Sequence, residues 1–161
     1  MTTIFLLGVP VTLRPIALLC GVPSTLITAL VARDNRVLLA AGAGALWYVA
    51  DTTHTIGHII SSRAVDAPID AVDFGIYPKT VYYNNDVSPQ QHIGRASGGL
   101  IASLLTALVF ALVAWLLPQG VARKLLTIAA IQNAIVLVGG MLPISMVDGG
   151  VIFANVRKLN A

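Results

Sequence analysis

Two histidines four residues apart, His54 and His58, lie in the apolar run WYVADTTHTIGHIISS at residues 47–62. Four residues is about one helical turn, so a helix here projects both imidazoles from one face. Two such imidazoles hold one metal ion when a third ligand arrives from elsewhere in the fold. The hydrolytic form of the pattern is His-Glu-x-x-His, in which the glutamate is the general base that activates a metal-bound water. Here that position is Thr55, and a hydroxyl does not accept a proton near neutral pH as a carboxylate does. The chain therefore carries the metal grip of a hydrolase without its standard base. Asp51, one turn before His54, shares the histidine face. It is expected to lie behind the metal and orient a histidine. In the reading that keeps catalysis it is the displaced base.

The elements that must position these residues are apolar. Of 161 residues, 57% are hydrophobic and 11% charged, and glutamate is absent. A soluble helical domain uses glutamate on its wet faces, so this composition points to helices with few wet faces, in a membrane. The cations are scattered, with no basic patch interleaved with aromatics, which argues against nucleic acid. The lone Cys20 reads as a core residue. Four runs approach the roughly 20 apolar residues that cross a bilayer: about 15–32, 37–60, 96–117 and 124–147. The expected architecture is one all-α polytopic membrane domain over 1–161, with about four transmembrane helices and a small β-hairpin element in the loop 63–95. No signal-peptide pattern opens the chain. Four crossings put both termini on one side, with Arg14, Arg63, Lys79, Arg95, Arg157 and Lys158 against Arg33, Arg36, Arg123 and Lys124 on the other. That bias favours cytoplasmic termini.

Residues 4–13 are too short to span and are broken by Gly8 and Pro10. They read as a strand or re-entrant turn that must pack on something, since bare backbone at membrane depth needs cover. Gly42, Gly44 and Ala45 make the upper half of the second helix narrow, and Gly57 leaves a gap between the histidines. The loop stretch APIDAVDFGIYPKTVYYNN alternates like strands about a Pro78–Lys79 turn. Asp66, Asp70 and Asp73 read as a solvated face, Tyr77, Tyr82 and Tyr83 as interfacial anchors, and His92 as a surface residue ahead of the third helix. Ser97, Gly98, Gly99, Ala102 and Ser103 give that helix a small-residue surface for close packing. The fourth run carries Gln132 and Asn133, then breaks at Gly139, Gly140 and Pro143 before Asp148. It runs in the same direction as the second helix. Asp148 can therefore share the depth of His54 and His58.

Together these motifs resemble the site-2 protease family of intramembrane zinc metalloproteases. That family pairs a His-Glu-x-Gly-His helix with a later Asn-x-x-Pro-x-x-x-x-Asp-Gly segment. Here HTIGH spans His54–His58, and GMLPISMVDG spans Gly140–Gly149, with Pro143, Asp148 and Gly149 in register. LGVPVTLRP resembles the short strand before the family's first core helix, and SGGLIASLL its Gly-Pro-x-x-Asn segment. The resemblance implies zinc ligands His54, His58 and Asp148, and a substrate- or partner-binding role for Gly140, Pro143 and Gly149. It also implies losses: Thr55 for the catalytic glutamate, Gly140 for an asparagine, and Gly99 and Ala102 for a proline and an asparagine. The expected protein is a catalytically inactive relative in a bacterial or archaeal cytoplasmic membrane, acting as a binding or scaffold subunit beside other membrane subunits or a transmembrane peptide. The alternatives are an active zinc metalloendopeptidase with a displaced base, or a subunit whose histidines ligate a haem- or chlorophyll-type tetrapyrrole.

Overall fold

The structure is a computed structural model and describes residues 1–160. Its N-terminal segment folds as a hairpin of β1 (Thr2–Leu6) and β2 (Val9–Leu13). Leu7 and Gly8 turn it with φ of 50° and 80°, the two left-handed residues of a type I′ turn, whose twist matches the strands. The hairpin finds the cover that its sequence demands. β2 pairs in parallel with β3 (Ala71–Phe74), which pairs antiparallel with β4 (Pro78–Val81), giving the order β1-β2-β3-β4. The reversal falls at Gly75–Tyr77. Pro78 and Lys79, read from sequence as the turn, lie in β4 and pair with Phe74 and Asp73. Pro78 is tolerated because β4 is an edge strand. Val9, Val11, Val72 and Phe74 alternate onto one face of the sheet and pack with Ile59, Ile69, Ala17 and Cys20. That core fixes the sheet beside the histidine-bearing helix.

The first apolar run is interrupted. Pro15–Leu19 forms a 3-10 turn, and only Val22–Val31 is the α-helix α1. α2 runs from Arg36 to Ala64, 29 residues. α3 (Pro89–Leu116) starts well before the run expected at 96. A capping box of Ser88 and Gln91 with Pro89 at the first position satisfies its free amides, and places His92 inside the first turn. α4 (Val121–Gly140) ends at the glycine pair, an irregular stretch carries Pro143, and a further helix, α5 (Asp148–Leu159), follows. The hydrophobic reading missed α5 because its face is mixed, with Asn155, Arg157 and Lys158 beside Phe153 and Val156.

α3 and α4 are long and apolar enough to cross a membrane. On α3, Leu105, Leu108, Val109 and Leu112 are each more than half exposed, a continuous apolar face that water would not tolerate. α2 packs against α3 where Gly57 of one helix meets Gly98 of the other. A Cβ on Gly57 would overlap the Gly98 carbonyl oxygen and lie 2.5 Å from the Ala102 Cβ. On its other flank Gly44 receives Thr25 and Gly21 of the α1 start, and Gly42 receives Leu125 of α4.

Candidate metal centre

The α2–α3 approach decides where the histidines point. His54 and His58 leave α2 on its α3 face, and α3 presents Gly99 to them. A Cβ there would overlap His58 Nε2 and come within 2.6 Å of His54 Nε2. Gly99 is thus the space in which the two imidazoles meet. The α4 break brings the third group. Gly149 and Gly150 sit tight against the main chain of Met141, Leu142 and Ile144, where any side chain would clash, so the start of α5 folds back under α4. Asp148 opens α5 without capping it. Its carboxylate turns to the histidines instead.

His54 Nε2 and His58 Nε2 are 3.0 Å apart, and Asp148 Oδ2 lies 3.2 Å from the first and 3.3 Å from the second. Three ligands on a tetrahedral zinc at about 2.0–2.1 Å sit roughly 3.3 Å from one another, close to this triangle. The far nitrogens are held as well. His58 Nδ1 lies 2.8 Å from the Arg95 carbonyl, and His54 Nδ1 lies 2.9 Å from Ser103 Oγ. A carbonyl only accepts, so His58 carries a proton on Nδ1 and leaves Nε2 to face Asp148. Two ring nitrogens and a carboxylate oxygen this close need a cation or a proton among them. The donor set fits a metal ion such as zinc, which His54, His58 and Asp148 would hold. Such an ion supplies Lewis-acid polarisation of a carbonyl oxygen.

The second set of contacts differs from the expectation for Asp51. Ser103 and the Arg95 main chain, not Asp51, orient the imidazoles. Asp51 lies buried in the same cavity with Oδ2 unpartnered. Ser103 was visible in sequence only as a small residue on the α3 surface. A main-chain carbonyl leaves no signature at all. Thr55 is 3% exposed and donates its hydroxyl to the Asp51 carbonyl at 2.8 Å. Gly140 lies beside the centre, where a Cβ would be 3.6 Å from Asp148 Oδ2 and 3.8 Å from His54 Cε1. Pro143 sits in the exposed stretch between α4 and α5. His92 lies apart from the cluster, as do Asp66, Asp70 and Asp73. A cavity of about 470 Å³ opens over the centre, walled by Asp51, Thr55, Tyr77, Thr80, Gly140 and Met146. One wall is therefore β4, whose outer edge carries no strand partner among the described residues.

Arg95 ties this wall to the histidines. Its side chain is 4% exposed, donates to the Ala67 carbonyl and to Asn85 Oδ1, and stacks over Tyr82 at 4.1 Å. The loop that carries the sheet is fastened to the residue whose carbonyl fixes His58.

A helix bearing two histidines, a broken later helix returning an aspartate, and a sheet edge over the cavity define the site-2-protease-like fold. The chain shares its fold with a solved site-2 protease. It superposes on the site-2 protease from Methanocaldococcus jannaschii with a TM-score of 0.72 and 16% sequence identity, over 98% of this chain and 72% of that one. No family model and no curated protein matches the sequence. The likeness is thus one of fold, carried by packing and a few spaced residues.

Proposed function

We propose that this protein is a non-proteolytic membrane protein of the site-2-protease fold that keeps a zinc ion on His54, His58 and Asp148 and holds a partner segment beside it. The observation that carries this reading is Thr55. It stands where a hydrolase of this kind needs a carboxylate, is buried, and spends its hydroxyl on the carbonyl one turn back. General-base catalysis contributes roughly 10²- to 10⁴-fold, and Gly140 and Gly99 leave no polar side chain to compensate. The cavity wall supports the holding role. The free edge of β4 offers main-chain groups to an extended segment of another membrane protein, in the manner of strand addition. In this reading α1 with its preceding turn, α2, α3 and α4 each cross the membrane, the termini face the cytoplasm, and the protein serves as a subunit of a membrane assembly.

Metal content by mass spectrometry on the detergent-purified protein is the first test, with His54→Ala as control. About one zinc per chain, lost in the variant, is expected. Cleavage is then assayed on a panel of membrane-helix substrates. None is expected from the natural chain. Specific cleavage that disappears in His54→Ala would overturn the proposal, and loss of that cleavage in Asp51→Asn would assign the base to Asp51. Thr55→Glu returns a carboxylate to the cavity and is expected to leave zinc in place.

A further inference from the structure

Away from the metal, two apolar troughs flank α4. One lies between α4 and α1, about 610 Å³, with Ile27, Leu39 and Ile128 on its walls. The other lies between α4 and α3, about 510 Å³, walled by Leu104, Leu108 and Ala134. They are not independent. Arg123, Thr127 and Ile131 line both. These residues are spaced by four, so they form one ridge along α4 with a trough on either side. Thr127 and Ile131 are exposed along it.

Charge is confined to one end. Arg123 heads both troughs, and Lys124 and Gln119 join it at the head of the first. Arg33 and Arg36 lie in the loop and helix start at that same end. Among the described residues Asp34 is the one carboxylate there, highly exposed and 3.5 Å from Lys124, and the Arg123 guanidinium has no carboxylate partner. It reaches only the Leu117 carbonyl, at 3.3 Å. At the deep end of the first trough Gln132 gives its amide N–H groups to Ser24 Oγ and the Ala43 carbonyl, so it presents nothing that attracts an anion. From Arg123 to Ile135 the ridge rises 12 residues, about 18 Å. That is close to one leaflet of a hydrocarbon core about 30 Å thick.

We infer that this face binds one anionic two-chain membrane lipid astride α4, its headgroup on Arg123 and Lys124 and one chain in each trough. A single-chain amphiphile would leave one trough unfilled. A zwitterionic headgroup would bring a second cation against Arg123.

The test uses the full chain reconstituted in vesicles of equal parts phosphatidylglycerol and phosphatidylcholine, extracted in mild detergent and weighed intact by native mass spectrometry. One phosphatidylglycerol per chain is expected to survive extraction, with a preference of roughly ten-fold over phosphatidylcholine, given two cations near the headgroup. The double variant Arg123→Gln/Lys124→Gln is expected to lose the preference. Thr127→Trp, on the exposed ridge, is expected to lose retention of either lipid while the zinc content stays unchanged. Equal retention of both lipids, a preference that survives the double variant, or retention that survives Thr127→Trp would each overturn the inference. Lyso-phosphatidylglycerol held as well as the two-chain lipid would overturn it too.

Discussion

α2 is held in two different ways along its two flanks. Toward α3 there is no slack. Gly57 lies on Gly98, and Gly99 lies on the imidazoles, so backbones touch and the histidines have one place to go. Toward α1 and α4 the glycines are packed as closely, Gly44 against Gly21 and Thr25 and Gly42 against Leu125, but beside these contacts the face opens into a trough, bridged by Gln132 reaching Ser24 and the Ala43 carbonyl. The first flank aligns three ligand atoms within a few tenths of an ångström of one another's spacing. The second needs no such accuracy, because fluid lipid chains fill an irregular space that side chains would have to fit. Small residues thus bring α2 close to its neighbours on both flanks, but only the α3 flank turns that closeness into the position of metal-ligating side chains.

The most direct way to break this contrast is Gly57→Leu. Its side chain has no room against the Gly98 carbonyl and the Ala102 methyl, so α3 must move away from α2. Overpacking of this kind costs roughly 1–3 kcal/mol, and separation of the helices also dissolves the metal triangle. The expected outcome is loss of bound zinc together with a lowered unfolding midpoint in detergent. Zinc retained at one per chain would show that α2 alone positions the ligands.

Ser103→Ala sharpens the same contrast with a smaller effect. It leaves the helices in contact but removes the hydroxyl 2.9 Å from His54 Nδ1. Loss of such a partner typically weakens metal binding by roughly 10- to 100-fold. A competitive chelator titration reads that shift, with the unfolding midpoint of the metal-free protein near the parent value. An unchanged zinc affinity would place the control of His54 in the α2–α3 contact alone.

Much of this arrangement was legible in the chain because it rests on residues that only one geometry uses. The spacing of His54 and His58, the break at Gly139–Gly140 and the offset of Asp148 put the three side chains at a common depth, and the fold brings them within 3.3 Å of one another. The N-terminal segment was legible as a short strand or re-entrant turn from its length and its glycine and proline, but not as the two-stranded hairpin that it forms. Three further things were not legible. The 3-10 turn at Pro15–Leu19 is apolar throughout, and hydropathy does not separate a tight turn from a helix. The turn of the second hairpin was misplaced onto Pro78 because proline usually marks a turn, whereas here it sits on an edge strand where no amide is needed. The orienting group on His58 is the main chain of Arg95, which every residue type supplies equally.

The sheet is the remaining support of the centre, and acid separates its part from that of the helices. Arg14 on the rim of β2 holds the Asp73 carboxylate with two hydrogen bonds, at 2.7 and 2.5 Å. That contact keeps the Asp73 carboxyl below its usual range. A carboxyl with a lowered folded pKa stabilises the fold above its unfolded value, about 3.9, and that contribution fades as pH falls through the lower folded value. The Arg14 side chain is half exposed and that of Asp73 partly so, so solvent screens the pair and the effect is small. Asp73→Asn is expected to change the unfolding midpoint slightly at pH 7 and not at all at the acid end, where the parent carboxyl is itself protonated. Zinc content at pH 7 should match the parent, because β2 and β3 remain joined by their ladder and by the buried Val11, Val72 and Phe74. A loss of zinc in this variant would mean that the rim of the sheet, and not only the glycine contact of α2 with α3, sets the position of the ligands.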